Sequence, residues 1–451
     1  MNHNKNALLS LEKALELSNL NPNLLCDYFE GMHDVGIATL LVSCRDDKDR
    51  LRLLFRVPNS KRGDVVLKLP DQMQESLLAI FKPYEIESMI APMNSDDAAD
   101  ILQGLDSHTA AIVFALLEPE EQREIRPLLH HHEESAGGLM QSELFKVRSD
   151  WSVSKVLLVL RRWGREINNL NYVYVVDDQD HFVGSTPLHK LLFADPKQGI
   201  FELTDIDSPF ALAGQDQEEV ASIFALYDIL VLPVLDDNHV LVGRITADDI
   251  LDVMQDEATE DMYRLAGVSD EDDLSESVVQ TARLRSVWLA VNLMTAILAS
   301  FVISQFEATL NQIVALAILM PIVASMGGIA GTQTLTVIVR NIALGRVHYE
   351  NARSALLKEM RVGLLTGSLF AVLIGGIVMF WFPDLGFSLG LIIAIAMFIN
   401  LIAAATAGAI IPLTLQRLNI DPALASGTIL TTVTDIVGFI AFLGLATWFL
   451  L

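Results

Sequence analysis

Cysteine is nearly absent: Cys26 and Cys44 are the only two in 451 residues. That excludes a disulfide framework or a cysteine zinc site and suits a reducing compartment. Basic residues are scarce as well, with 31 Lys and Arg against 57 Asp and Glu and a net charge of -26. The imbalance belongs to one half of the chain. Residues 1–284 hold 24 basic and 51 acidic side chains, whereas residues 285–451 hold 7 and 6. Such a chain repels nucleic acid, anionic lipid headgroups and other polyanions, and it attracts cations. The N-terminus, MNHNKNALLSLEKALELSN, has no apolar run of signal-peptide length, so the acidic half is expected to stay on the side of synthesis. No nucleophile and base pair and no phosphate loop stand out, which argues against an enzyme.

Hydrophobic residues make up 51% of the chain, only 20% are charged, and mean hydropathy is +0.39. A chain of this length calls for several domains, and this composition for a lipid-embedded one. From Ser286 onward the apolar blocks fall at about 286–305, 312–343, 361–382, 388–414 and 424–451, each longer than the ~20 residues that span a bilayer. Arg283 and Arg285 precede the first block. Arg346, Arg353, Lys358 and Arg361 separate the second from the third, and Arg417 separates the fourth from the fifth. FEATLNQ and PDLGFSLG, on the other side, hold no Lys or Arg. This asymmetry predicts five spans with the N-terminus inside and the C-terminus outside; the membrane expected for such a chain is the inner (plasma) membrane.

The second block is longer than a bilayer core requires and holds Pro321, Gly327, Gly328 and Gly331. Either the helix breaks at these residues against a wet cavity, or it projects beyond the bilayer, with its glycines packing against neighbours. The last block places Asp435 near mid-bilayer, where an ionisable group costs ~2.5–3.5 kcal/mol. Thr428, Thr431, Thr432 and Asp435 follow at i, i+3, i+4 and i+7, on one helical face. A hydroxyl stripe ending in a carboxylate points to a cation path. Asn400 in the fourth block is either a further lining residue or an interhelical hydrogen-bonding group. Arg340 is the nearest base that could pair with Asp435 instead. The membrane half has no Cys, and its one His, His348, lies in a connection, so soft metals lack ligands there. One carboxylate and a few hydroxyls suit a largely hydrated Mg2+.

In the acidic half, VYVVDDQDHFVG (173–184) and LPVLDDNHVLVG (232–243) align without gaps at a spacing of 59 residues. Each reads as strand, turn and strand, with a helix after it. The repeat resembles a pair of CBS modules. Such pairs often bind adenine nucleotides, and Thr246 and Asp248 stand at the family's ribose-contacting positions, which points to ATP; the first copy lacks the Asp. Residues 56–135 read as short helices in an array. His130, His131 and His132 are consecutive and point in different directions, so they read as a solvated loop rather than a metal site. ADDILDVMQDEATEDMYRLAGV (247–268) reads as one helix with Asp249, Asp252, Asp256 and Glu260 within about 80° of each other. Asp96 and Asp100 make another i, i+4 carboxylate pair. Like charges at this spacing repel, and bridging divalent cations would relieve them.

The words EESAGGLM, EATEDMYRLAGV, MPIVASMGGIAGTQTLTVIVRNIALG and DPALASGTILTTVTDIVGF, in this order, resemble the MgtE family of magnesium channels over about residues 56–451. The resemblance implies a multidomain chain: an N-terminal helical extension outside the match (1–55), a cytosolic all-α helical-array N domain (56–135), two α/β CBS modules (136–200 and 201–249), an acidic connecting helix (250–284) and an all-α membrane domain of five helices (285–451). It further implies a homodimer in the lipid bilayer whose pore, lined by the second and fifth spans, holds hydrated Mg2+ on Asp435 and the Thr431 carbonyl, with Thr428 and Gly328 beside it. Cytosolic Mg2+ would bind Asp96, Asp100, Asp249, Glu257 and Glu260, the residues that match the family's sensor carboxylates, and shut the pore. Asp252 and Asp256 extend that acidic face. One departure stands in the pore: Ile329 occupies a position where the family commonly has Asn. Two other classes accord with the same composition. One is a membrane-anchored CBS sensor of divalent cations or nucleotide that conducts nothing, and the other is an ion-coupled divalent cation carrier.

Overall fold

The computed structural model describes residues 11–164, 167, 170–268, 278–348, 351–383, 386–418, 420–424 and 426–451. They form two units, divided after Met254, each of which is treated separately below.

The first unit opens with ten short helices. These are α1 (Leu11–Leu20), α2 (Pro22–Glu30), α3 (Asp34–Val42), α4 (Asp47–Leu54) and α5 (Asn59–Leu67), then α6 (Asp71–Leu78), α7 (Pro83–Ile90), α8 (Ser95–Gln103), α9 (Ser107–Leu116) and α10 (Pro119–Leu128). Their punctuation is local. At α7 and α10 a proline takes the first helical position, where its missing N–H is no loss, and a glutamate two residues on reaches back to accept the N-cap N–H (Lys82 to Glu85 and Glu118 to Glu121, both 2.9 Å). No break falls at residue 55. Ala14, Leu25, Phe29 and Ile37 share one core with Val65, Met89 and Leu102, so the first helices extend the array rather than precede it.

After α11 (Ala136–Leu139) come two three-stranded sheets. In the first, β1 (Lys146–Arg148) is parallel to β2 (Tyr172–Val176), which is antiparallel to β3 (Phe182–Pro187); α12 (Val153–Trp163) makes the crossover and α13 (Leu188–Phe193) follows. In the second, β4 (Ala211–Leu212), α14 (Gln217–Tyr227), β5 (Val231–Leu235) and β6 (Leu241–Thr246) repeat the same order. The sequence repeat extends to irregularities. Val175 pairs with Gly184 and Val234 with Gly243, a bulge follows each, and the hairpin turns carry left-handed Asp180 and His239 at the same offset. The hairpins also bond to one another, Phe182 N–H donating to the His239 carbonyl at 3.0 Å. The last element, α15 (Ala247–Leu265), begins in this unit directly after β6.

The second unit holds the remainder of α15, then α16 (Val278–Ser304), the short α17 (Glu307–Gln312), α18 (Val314–Ala343), α19 (Ala352–Trp381), α20 (Gly386–Arg417) and α21 (Ser426–Leu450). Five of these are long and apolar enough to cross a membrane. The second span does not break. α18 runs unbroken through Pro321 and the glycines, roughly 45 Å at 1.5 Å per residue, so its length is accommodated without irregular backbone. Two of its glycines serve packing: a Cβ at Gly327 would fall 2.2 Å from Asn400, and one at Gly331 2.9 Å from Leu430. α19 starts well before residue 361. Its early start brings Glu359 into the helix, where it is buried and accepts a hydrogen bond from the Thr334 hydroxyl of α18 (3.3 Å).

Candidate functional site

The second unit carries a groove of about 800 Å3 between α18 and α21. Gly328, Ile329, Thr332 and Gln333 form one wall, and Thr431 and Asp435 form the other. Asp435 is half-buried and makes no hydrogen bond or ion pair among the described residues. Arg340 does not reach it; that base lies instead beside Asp261. An uncompensated carboxylate flanked by hydroxyl and amide groups in an otherwise apolar wall attracts a cation and supplies few ligands to it. Gly328 has nothing within 4 Å of where a Cβ would stand, so it keeps that wall open. The Thr431 hydroxyl donates to the Gly427 carbonyl (2.9 Å), and the Thr434 hydroxyl donates to the Thr431 carbonyl (3.0 Å).

Two residues expected in this lining lie elsewhere. Asn400 is fully buried among α18, α20 and α21, its amide donating to the Val323 carbonyl (2.9 Å) while its oxygen has no partner. It is an interhelical tie. Thr428 is off the groove, its hydroxyl donating to Asn292 of α16 (3.1 Å). Helical periodicity placed Thr428 on the Asp435 face, but the neighbouring helix claims it.

The first unit gathers carboxylates. Asp96 of α8 is 5% exposed, and its Oδ1 has no hydrogen-bond partner. Burial, and then the charges of Asp97 and Asp249, push its pKa up to about 8. Asp97 is raised to about 7 by burial and by Asp249, Asp64 and Asp100, and Asp100 to about 7 by burial and by Asp96, Glu133 and Asp249. Asp249 is raised by burial, against the opposing hydrogen bond it accepts from the Thr246 hydroxyl (2.5 Å). The structure thus places Asp96, Asp100 and Asp249 near enough to raise one another's pKa. It adds Asp97, which sequence reasoning missed although its i, i+3 spacing to Asp100 was visible. Among the described residues no three His, Cys, Asp or Glu side chains stand at ligating distance of one ion. The orphaned, buried Asp96 oxygen and the mutual repulsion fit a hydrated divalent cation bridging them. Asp252 is exposed and adds to the negative field at Asp249. Thr246 is buried and engaged by Asp249, whereas Asp248 is exposed.

The later part of α15, in the second unit, carries Asp256, Glu257 and Glu260. Arg264 pairs with Glu260 one turn back and with Asp421 of the segment between α20 and α21. Burial, Asp421 and Glu257 raise the Asp261 carboxyl to about 6, against the pull of Arg340. On α15, Ile250 and Val253 are buried, while Leu251, Met254 and Met262 are exposed.

Comparison with known proteins covers nearly the whole chain. The MgtE divalent cation transporter domain matches residues 320–445, the MgtE intracellular N domain residues 32–134, and CBS domains residues 136–196 and 203–256. The N-domain match therefore begins at residue 32, earlier than residue 56. The chain is 33% identical to the magnesium transporter MgtE of Thermus thermophilus over 97% of each protein. It is 30% identical to that of Bacillus subtilis over 90% of this chain and 89% of the other. Among solved structures, the cytosolic domain of the Mg2+ channel MgtE in complex with ATP aligns with 55% of this chain and 99% of its own, at 32% identity and a TM-score of 0.51.

Proposed function

Because the chain belongs to the MgtE family of magnesium transporters, we propose that it is a Mg2+ channel in which two copies close one pore and cytosolic Mg2+ shuts it. The observation that carries this is the α18/α21 groove, a half-lining open on one side with a single unpaired carboxylate, Asp435. Facing a second copy, it would give two carboxylates around a path for a hydrated cation. Mg2+ keeps much of its water and takes one or two carboxylates, so Asp435 of each copy would attract and orient the ion, with Thr431 beside it. Ile329 in the wall offers no ligand and narrows the path by bulk alone.

The gate rests on the acidic residues. When cytosolic Mg2+ is high, Asp96, Asp97, Asp100 and Asp249 would hold bridging ions, and the same field on α15 would involve Asp252, Asp256, Glu257 and Glu260. When it falls, the carboxylates repel and the arrangement opens. This reading sets the protein in the plasma membrane, with its acidic domains in the cytoplasm and its C-terminus outside. ATP is bound by the related cytosolic domain; here the Thr246 hydroxyl is engaged by Asp249, so nucleotide contact at this module would rest on Asp248.

The test is Mg2+ flux into proteoliposomes carrying the intact protein, beside the Asp435→Ala variant and protein-free vesicles. Flux that vanishes in the variant supports the pore. No flux in the intact protein, with the sensor side free of Mg2+, would transfer the assignment to a non-conducting sensor. Flux driven by a proton or sodium gradient would mark a carrier.

A further inference from the structure

We infer that Glu143 is a positioning residue of the cytosolic sensor: it caps α8 from outside that helix and so sets how much Mg2+ is needed to gather Asp96, Asp97 and Asp100 with Asp249. The inference rests on the gating reading above and names a residue outside the carboxylates that hold the ion.

Glu143 lies between α11 and β1, 48 residues downstream of Ser95 at the start of α8. One of its oxygens accepts the Ser95 N–H (2.9 Å) and the other accepts the Ser95 hydroxyl (2.8 Å). The Ser95 oxygen in turn accepts the Ser142 N–H (2.9 Å) and the Ser142 hydroxyl (3.1 Å). Ser95 is 3% exposed, so these bonds are shielded from water. A helix ordinarily satisfies its first-turn N–H groups from its own N-cap. The N-cap of α8, Asn94, makes no such side-chain bond, and the acceptor comes instead from the segment that enters the CBS pair. A carboxylate at that end also meets the positive pole of the helix.

The same segment reaches the other side of the acidic cluster. Gln141 exchanges backbone hydrogen bonds with Arg244 of β6 (2.7 and 2.9 Å) and accepts from the Arg244 guanidinium through its side chain (3.2 Å). Its side chain also lies close enough to Asp96 to favour the charged carboxylate. Two residues beyond Arg244, Thr246 holds Asp249. α8 and Asp249 are therefore joined, without a metal, by hydrogen bonds at Ser95, Gln141 and Thr246 and by the short chain segments 141–143 and 244–246 between them. Repulsion among the carboxylates opposes the gathered state and the Glu143 cap favours it, so the Mg2+ required reflects the difference between the two.

Hydrogen–deuterium exchange of the intact protein, followed at the α8 amides while Mg2+ is titrated, tests this. Wild type is expected to gain protection with Mg2+. Glu143→Ala should reach the same final protection at a midpoint about tenfold higher, Glu143→Gln should fall between the two, and Ser95→Ala should shift the midpoint less. In proteoliposomes, Glu143→Ala should need correspondingly more lumenal Mg2+ on the sensor side to close, with unchanged flux when that side holds none. A wild-type response with an unmoved Glu143→Ala midpoint would overturn this inference and leave the gating reading standing. Protection lost even at saturating Mg2+ would make Glu143 merely structural and overturn it as well. No Mg2+ response in wild type would bring down the gating reading, and this one with it.

Discussion

Residue by residue, the clearest chemistry is the reluctance of three aspartates to lose their protons. Asp96, Asp97 and Asp100 have pKa values of about 8, 7 and 7 in the gathered arrangement, against an ordinary 3.8. A raised folded-state pKa contributes stability that is complete below the ordinary value and is lost as pH climbs through the raised ones. Without divalent cations, the melting temperature of the cytosolic part should therefore fall between pH 6 and pH 8.5. Saturating Mg2+ should flatten that slope, and a flat metal-free profile would mean that the carboxylates are not gathered. Asn400 gives a contrasting expectation. Its substitution by Ala removes a fully buried hydrogen bond, at a cost of about 1–3 kcal/mol in the stability of the membrane unit, and should leave cation preference unchanged. Melting in detergent and competitive flux separate the two effects. Asp435 and Thr431 were legible from sequence because a carboxylate in a long apolar run declares itself whatever the fold. Thr428 was not, and Asn400 stayed open between lining and interhelical tie, since periodicity assigns a face and says nothing of which neighbour covers it. Asp97 escaped because consecutive side chains usually diverge, and burial of its neighbours Ser95, Asp96 and Ala98 in the first turn of α8 shows only in three dimensions.

Among the elements, α18 shows what glycine does in a helix built to be approached. Gly331 and Gly408 let α18 and α20 come together: a Cβ at Gly408 would lie 2.8 Å from the Gly331 carbonyl oxygen. Gly408→Leu should force the helices apart and yield little monodisperse protein on size exclusion. Gly328 on the same helix has open space around it. Gly328→Leu should therefore fold normally and instead obstruct the groove, lowering Mg2+ flux several-fold in vesicles with matched protein content. Sequence reading recognised the spans because apolar length is a one-dimensional property. It left open whether the second span breaks, because Pro321 and the glycines fit a kink as well as a packing surface, and packing decided the matter. The third span was started too late because Lys358, Glu359 and Arg361 read as a connection, although Glu359 is buried against Thr334. The CBS repeat was readable to the level of its turns, since alternation and a shared Asp-Asp turn fix strand, hairpin and register together.

Over the whole molecule, charge and hydropathy divide the chain: a half rich in carboxylates and an apolar half with a single unpaired carboxylate in its groove. The first division was plain from counting alone. The bonds that organise each half were not, because ties such as Glu143 to Ser95 in the first unit and Arg264 to Asp421 in the second leave no mark on composition. The open side of the α18/α21 groove carries a genetic consequence. On the proposed pairing each copy supplies half of the lining, so a chain damaged at Asp435 does not simply drop out but is incorporated beside a sound one. With equal synthesis of both chains and random pairing, only about a quarter of the assemblies would have two intact halves. Co-expressing Asp435→Ala with wild type at a fixed total amount of chain, in a strain that depends on this protein for Mg2+, should therefore cut uptake to about a quarter, against about half for a chain that fails to fold. Such an allele would behave as a dominant lesion, whereas one that merely prevents folding would be recessive.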